Sequence, residues 1–119
     1  MRPQRAICWL IKHDGDGVTT LNVARSGLEF GDLFFVHRSI NRIEPYTLSH
    51  IPTGHALRFG TRLICVGTAR LLCDCDLAPW RFTTIEEWEA YPNEFQKALR
   101  RLIHWDESVK DALLGIRSE

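Results

Sequence analysis

Histidines, cysteines and a central group of arginines are the side chains in this sequence whose types and spacing could do chemistry. His37 ends a run of β-forming residues, and His50 and His55 bracket Pro52-Thr53-Gly54. If the strands that carry them are neighbours, three imidazoles and Arg38 meet at one sheet end, which would make an acid–base or metal cluster. The spacing argues against it. No two of these histidines stand as a zinc pair does, and no Glu-bearing helical motif accompanies them. His37-Arg38-Ser39 fits one half of a paired His-x-Ser/Thr phosphoesterase pattern, but neither His50-Ile51-Pro52 nor His55-Ala56-Leu57 supplies the other half.

Cys73-Asp74-Cys75 could hold a soft metal or a redox pair. It lacks the second Cys pair of a zinc ribbon, and Cys8 and Cys65 lie at no ligand spacing, so all four thiols are read as small hydrophobes. No Gly-rich phosphate loop, nucleophile elbow or metalloprotease helix is present. The sequence is therefore read as non-enzymatic, with no catalytic residue, metal or cofactor. Binding is the better prospect. Arg38, Arg42, Arg58 and Arg62 flank the segment around Pro52, and with His50, Thr53 and His55 they form the expected binding surface. Arg5 adds a basic residue near the start of the chain. A solvated sheet edge would account for the same arginines equally well. Trp80, Trp88 and Trp105 read as packing residues before they read as a base-stacking platform.

The bulk numbers narrow the classes. A chain of 119 residues with 45% hydrophobic residues suits one domain, 1–119, with a core that needs no staple. Lys plus Arg (15) equals Asp plus Glu (15), so the basic excess usual in a dedicated nucleic-acid binder is missing. A locally positive rim remains compatible with that total. Nothing resembles a secretory leader or the roughly 18 apolar residues of a membrane span. The expectation is a cytoplasmic protein with reduced thiols and no membrane partner.

The elements that would position these side chains fall in two groups. Ala6 to Lys12 and Val18 to Ala24 read as a hairpin around His13-Asp14-Gly15-Asp16-Gly17. Leu33 to His37 is the clearest strand. Tyr46 to Ile51 and His55 to Phe59 form a second hairpin, with Pro52 presetting the corner and Gly54 supplying positive φ. Thr61 to Asp74 fits a helix capped by Thr61, with Ile64, Cys65, Ala69, Leu72 and Cys73 on one face. A hairpin around Gly67-Thr68 is the competing reading. Thr84 and Glu87 have capping-box spacing. Phe95, Leu99, Leu102, Val109, Leu113 and Ile116 then form an apolar seam on one long helix or on two pieces broken at 104–107. That seam can pack on the domain's own sheet or pair with a second copy, so the chain is a monomer or homodimer. Strands first and helices later predict an α+β fold: a small antiparallel sheet from the N-terminal half, covered by C-terminal helices.

Ser49-His50-Ile51-Pro52-Thr53-Gly54, Phe59-Gly60-Thr61 and Trp80-Arg81-Phe82 together resemble a segment of small uncharacterised proteins from bacteriophages and bacterial mobile elements. There a strand ends in a Thr/Ser-His-x-Pro-Thr-Gly turn, and a returning strand, a Phe-x-Thr step and a helix follow. The resemblance covers roughly residues 46–82 and transfers no catalytic residue. It implies a strand–turn–strand–helix core and a phage or mobile-element origin, hence the cytoplasm of a host cell. By analogy it implies an accessory protein that binds a host protein or protein complex, for instance to inhibit a host defence system. The alternative is a nucleic-acid-binding module that uses the arginine-lined hairpin face. A small histidine-dependent hydrolase or nuclease is the third reading.

Overall fold

The computed structural model describes residues 3–13, 20–39 and 43–107. Five strands run as an antiparallel meander in chain order: β1 (Gln4–His13), β2 (Thr20–Phe30), β3 (Phe34–Arg38), β4 (Tyr46–His50) and β5 (Ala56–Gly60). Helices follow: α1 (Arg62–Asp74), a 3₁₀ turn (Ala78–Trp80), α2 (Ile85–Glu89) and α3 (Asn93–Ile103). This is the α+β arrangement expected from strands preceding helices. No helix among the described residues is long and apolar enough to cross a membrane.

Alternation along the strands sorts the side chains. Phe30, Phe34, Val36 and Leu48 face α1 and meet Cys65, Ala69 and Leu72 in one core cluster. Trp80, Phe82, Leu99 and Ile103 close that cluster from the C-terminal elements. Thr61 caps α1, its hydroxyl accepting from the Ile64 N–H at 3.2 Å, and Thr84 caps α2 by accepting from the Glu87 N–H at 3.2 Å. Residues 62–74 are thus helical, and the hairpin around Gly67-Thr68 is excluded. Gly67 instead lies on α1 beside the Trp105 ring, whose Nε1 donates to the Thr68 hydroxyl at 3.1 Å.

The β4–β5 turn is built as its residues require. Gly54 has φ 73°, and its N–H donates to the His50 carbonyl at 2.8 Å. A β-branched side chain there is strained whatever space surrounds it, so Gly54→Val is expected to cost about 1 kcal/mol or more. A thermal melt identical to that of the parent protein would contradict this turn.

Two expectations change. β2 runs on through Gly27 to Phe30 instead of ending near Ala24. Phe95, expected in the buried seam, is 37% exposed with its ring edge against Tyr91, and of the two helix readings the broken one holds: Leu99 and Ile103 are buried, α3 ends at Ile103 and the chain turns at His104. The reason is an internal cation. Arg58 reaches the Ile103 carbonyl at 2.7 Å and pairs with Asp106, closing the helix where a continuous seam would have continued. Val109, Leu113 and Ile116 lie outside the described residues, as do Arg42 and the turn at 14–17.

Candidate anion-binding cleft

The strand pairing opens a cleft in the sheet. β1 and β2 pair along their whole length, from Gln4↔Glu29 to His13↔Thr20. β2 and β3 pair only at Leu28↔Val36, Glu29↔Phe35 and Phe30↔Phe34, so His37 and Arg38 pair with β4 alone. Gly27 stands at the vertex. A Cβ there would lie 2.3 Å from the Val36 carbonyl oxygen and 2.9 Å from the Phe35 ring, so the close approach of β2 to β3 needs glycine. Beyond it the strands separate and leave a cavity of about 720 Å³.

Arg5 from β1, Arg25 from β2, Arg38 from β3 and Arg62 at the start of α1 line this cleft, with His37 and Tyr46 between them. Among the described residues no carboxylate lines it. The ion pairs among the described residues are Arg58–Asp106, Arg81–Asp32, Lys97–Glu94 and His104–Glu107, and none involves these four arginines. Guanidinium groups stay charged at any physiological pH. Four of them around one concave space create a positive field that the neutral total conceals.

His37 is fixed beneath this rim. Its Nδ1 donates to the Arg38 carbonyl at 2.8 Å, which leaves Nε2 to accept from the Ser49 hydroxyl at 2.9 Å. The ring stacks on Phe35 at 5.5 Å. Burial pushes its pKa down, and the Arg25 charge lowers it further, so the imidazole is neutral at pH 7. A serine on a histidine nitrogen has the outline of a nucleophile and its base. Ser49 is only 2% exposed and does not line the cleft, so the pair works here as a satisfied buried hydrogen bond.

The three histidines do not converge. His37 lies opposite Thr47 at one end of β4, whereas His50 lies opposite Phe34 at the other end and on the other face. His50 is fully buried: Nε2 donates to the Trp80 carbonyl at 2.5 Å, Nδ1 accepts from the Thr53 hydroxyl at 2.9 Å, and the ring stacks on Phe82. Thr53 also accepts from the His55 N–H at 3.3 Å. Of the expected binding residues, Arg38 and Arg62 reach the cleft. His50, Thr53 and His55 line a smaller cavity at the opposite end of β4. Arg58 is 8% exposed and tied to Asp106, which places it inside the fold and not on a binding surface.

Arg5 and Arg25 complete the cleft, and sequence proximity to the second hairpin could not include them. Among the described residues no group of His, Cys, Asp or Glu could hold a metal ion. The Cys8, Cys65 and Cys73 thiols are all pushed up by burial, away from reactive thiolate. No family model, curated protein or solved structure matches the chain.

Proposed function

We propose that the protein is a nucleic-acid-binding module whose arginine cleft holds the phosphates of a single strand. The observation that carries this reading is the convergence of Arg5, Arg25, Arg38 and Arg62 on one cavity that no carboxylate lines among the described residues. Phosphate oxygens satisfy guanidinium forks in pairs, and such contacts supply most sequence-independent affinity. The concave placement favours a flexible strand that enters the notch over a stiff duplex that meets a convex or flat surface. An acidic surface of a host protein is the second reading. Ile7 is 74% and Leu63 81% exposed, and each stands within two residues of a cleft arginine, which gives such a partner apolar contacts beside the charge.

Fluorescence anisotropy with a labelled single-stranded oligonucleotide, at about 50 mM salt and upward, tests the reading. Binding is expected to weaken with salt. Arg25→Gln and Arg38→Gln should each weaken it about tenfold and flatten the log–log salt slope by roughly 0.7 per arginine. Leu63→Ser should leave it unchanged. An oligonucleotide that fails to bind at low salt overturns the proposal. Oligonucleotide binding weakened by Leu63→Ser but not by Arg25→Gln or Arg38→Gln would show that the arginines do not hold the phosphates and would overturn the reading.

A further inference from the structure

At the opposite end of β4 from the arginine cleft, a cavity of about 240 Å³ lies among the β4–β5 turn, the 3₁₀ turn, α2 and α3. Its walls are largely aromatic and aliphatic, with Leu57, Trp80, Phe82 and Trp88, and its polar lining includes Arg100 and His55. Trp80 and Trp88 are stacked with centroids 6.3 Å apart and planes 16° from parallel. The Arg100 guanidinium stands 5.9 Å over the Trp88 ring and makes no ion pair among the described residues.

Two wall residues carry a buried nitrogen without a hydrogen-bond partner among the described residues: His104, whose Nδ1 lies 3.6 Å from Glu107, and Trp80. Trp80 is 1% exposed, and its indole N–H is buried without an acceptor among the described residues. The neighbouring aromatic donors are satisfied: Tyr91 donates to the Pro79 carbonyl at 2.9 Å and Trp105 to the Thr68 hydroxyl at 3.1 Å. A buried donor left unpaired is unfavourable, and an incoming acceptor that reaches it recovers that loss.

We infer that this cavity binds one unstacked nucleobase, guanine in preference to adenine, presenting base-edge acceptors to the Trp80 N–H and to Arg100. Three observations fix the class. The volume of about 240 Å³ exceeds the roughly 150 Å³ that admits a benzene ring, which leaves room for a larger planar ring system. The aromatic walls suit a planar π-system. Among the described residues no carboxylate lines the cavity, so its charged donor seeks acceptors, and guanine offers adjacent O6 and N7 acceptors where adenine offers one donor and one acceptor. The cavity stands on its own geometry; its assignment to a base in particular rests on the proposed nucleic-acid reading.

The nucleosides guanosine and adenosine, which carry no phosphate, separate this site from the arginine cleft. In a ¹⁵N–¹H titration of the full chain, guanosine is expected to move the Trp80 indole N–H signal, assigned by its disappearance in Trp80→Phe. Adenosine should bind about tenfold more weakly, the lower range of discrimination by a bidentate arginine. Because Trp80→Phe also touches the core, the second variant is Arg100→Gln at an exposed position, which should erase the preference for guanosine while the spectrum stays folded. Indole signals unmoved by guanosine overturn the inference even if oligonucleotides bind the cleft. A guanosine-induced shift with no oligonucleotide binding supports the cavity and overturns the cleft reading instead.

Discussion

Asp106→Ala is expected to destabilise the fold by about 3 kcal/mol, a fall in Tm of roughly 10 °C, although Asp106 itself is 28% exposed. The effect lies on its partner. Arg58 is 8% exposed, donates to Asp106 through both terminal nitrogens and gives one bond at 2.7 Å to the Ile103 carbonyl that ends α3. The hydrogen bond from Arg58, before any other influence, holds the Asp106 carboxyl below the usual carboxylate range. Removing that carboxylate leaves a guanidinium inside the fold with one backbone acceptor. Removing the charge as well should be milder, because a buried pair replaced by apolar side chains is often neutral. Arg58→Met combined with Asp106→Ala is therefore expected to recover most of the loss, giving a strongly non-additive cycle in urea unfolding. A single Asp106→Ala variant within 1 kcal/mol of the parent would show that the pair behaves as an exposed one.

That ion pair also shows why some of the fold was legible in the sequence and some was not. Local chemistry was readable wherever a residue's own backbone needs decide: Gly54 at positive φ, Thr61 and Thr84 at helix starts, and the apolar face of α1. Side-chain direction on β5 was not. Leu48 pairs with Arg58 while Ser49 pairs with Ala56, so one extra residue, Leu57, sits in the strand. The bulge turns Arg58 toward the helices, where unbroken alternation would have sent it to the other face. Asp106 stands between Leu102 and Val109, where the seam spacing wants an apolar residue, and the partner that accounts for it lies 48 residues earlier.

The candidate site divides in the same way. Arg38 and Arg62 could be grouped by their nearness to the second hairpin, but Arg5 and Arg25 arrive through the β1–β2 register. The cleft exists because β2 leaves β3 after Leu28, and a lone glycine in a strand does not announce where its neighbour diverges. The histidines were the more visible chemistry, and the strand register keeps them apart. Three positions separate the end of β3 from convergence with the end of β4: a residue opposite Thr47 and a residue at His50 project to different faces.

Those two buried imidazoles set a pH limit on the fold, which is the second large effect. Burial, ahead of all other causes, pushes the pKa values of His37 and His50 down from the ordinary value near 6.5. Each accepts at one nitrogen and donates to a carbonyl with the other, an arrangement that requires the neutral ring. The unfolded chain therefore binds more protons than the folded one below about pH 6.5. Stability is at its full value above that pH and falls as pH drops toward the lowered folded-state pKa values. Each histidine contributes a slope of up to about 1.4 kcal/mol per pH unit in that window, so the two together reach about 2.7. Asp106 does not confuse the measurement, since its depressed pKa withdraws stability only below the carboxylate range. Urea unfolding at pH 7.5, 6.5 and 5.5 should show a stability that declines on the acid side. His50→Gln should lower stability at pH 7.5, where the Trp80 carbonyl and Thr53 lose their ring partner, and should halve the acid slope. A parent protein equally stable at pH 7.5 and 5.5 would mean that the imidazoles take up protons without leaving their partners, and the neutral assignment at both sites would fall.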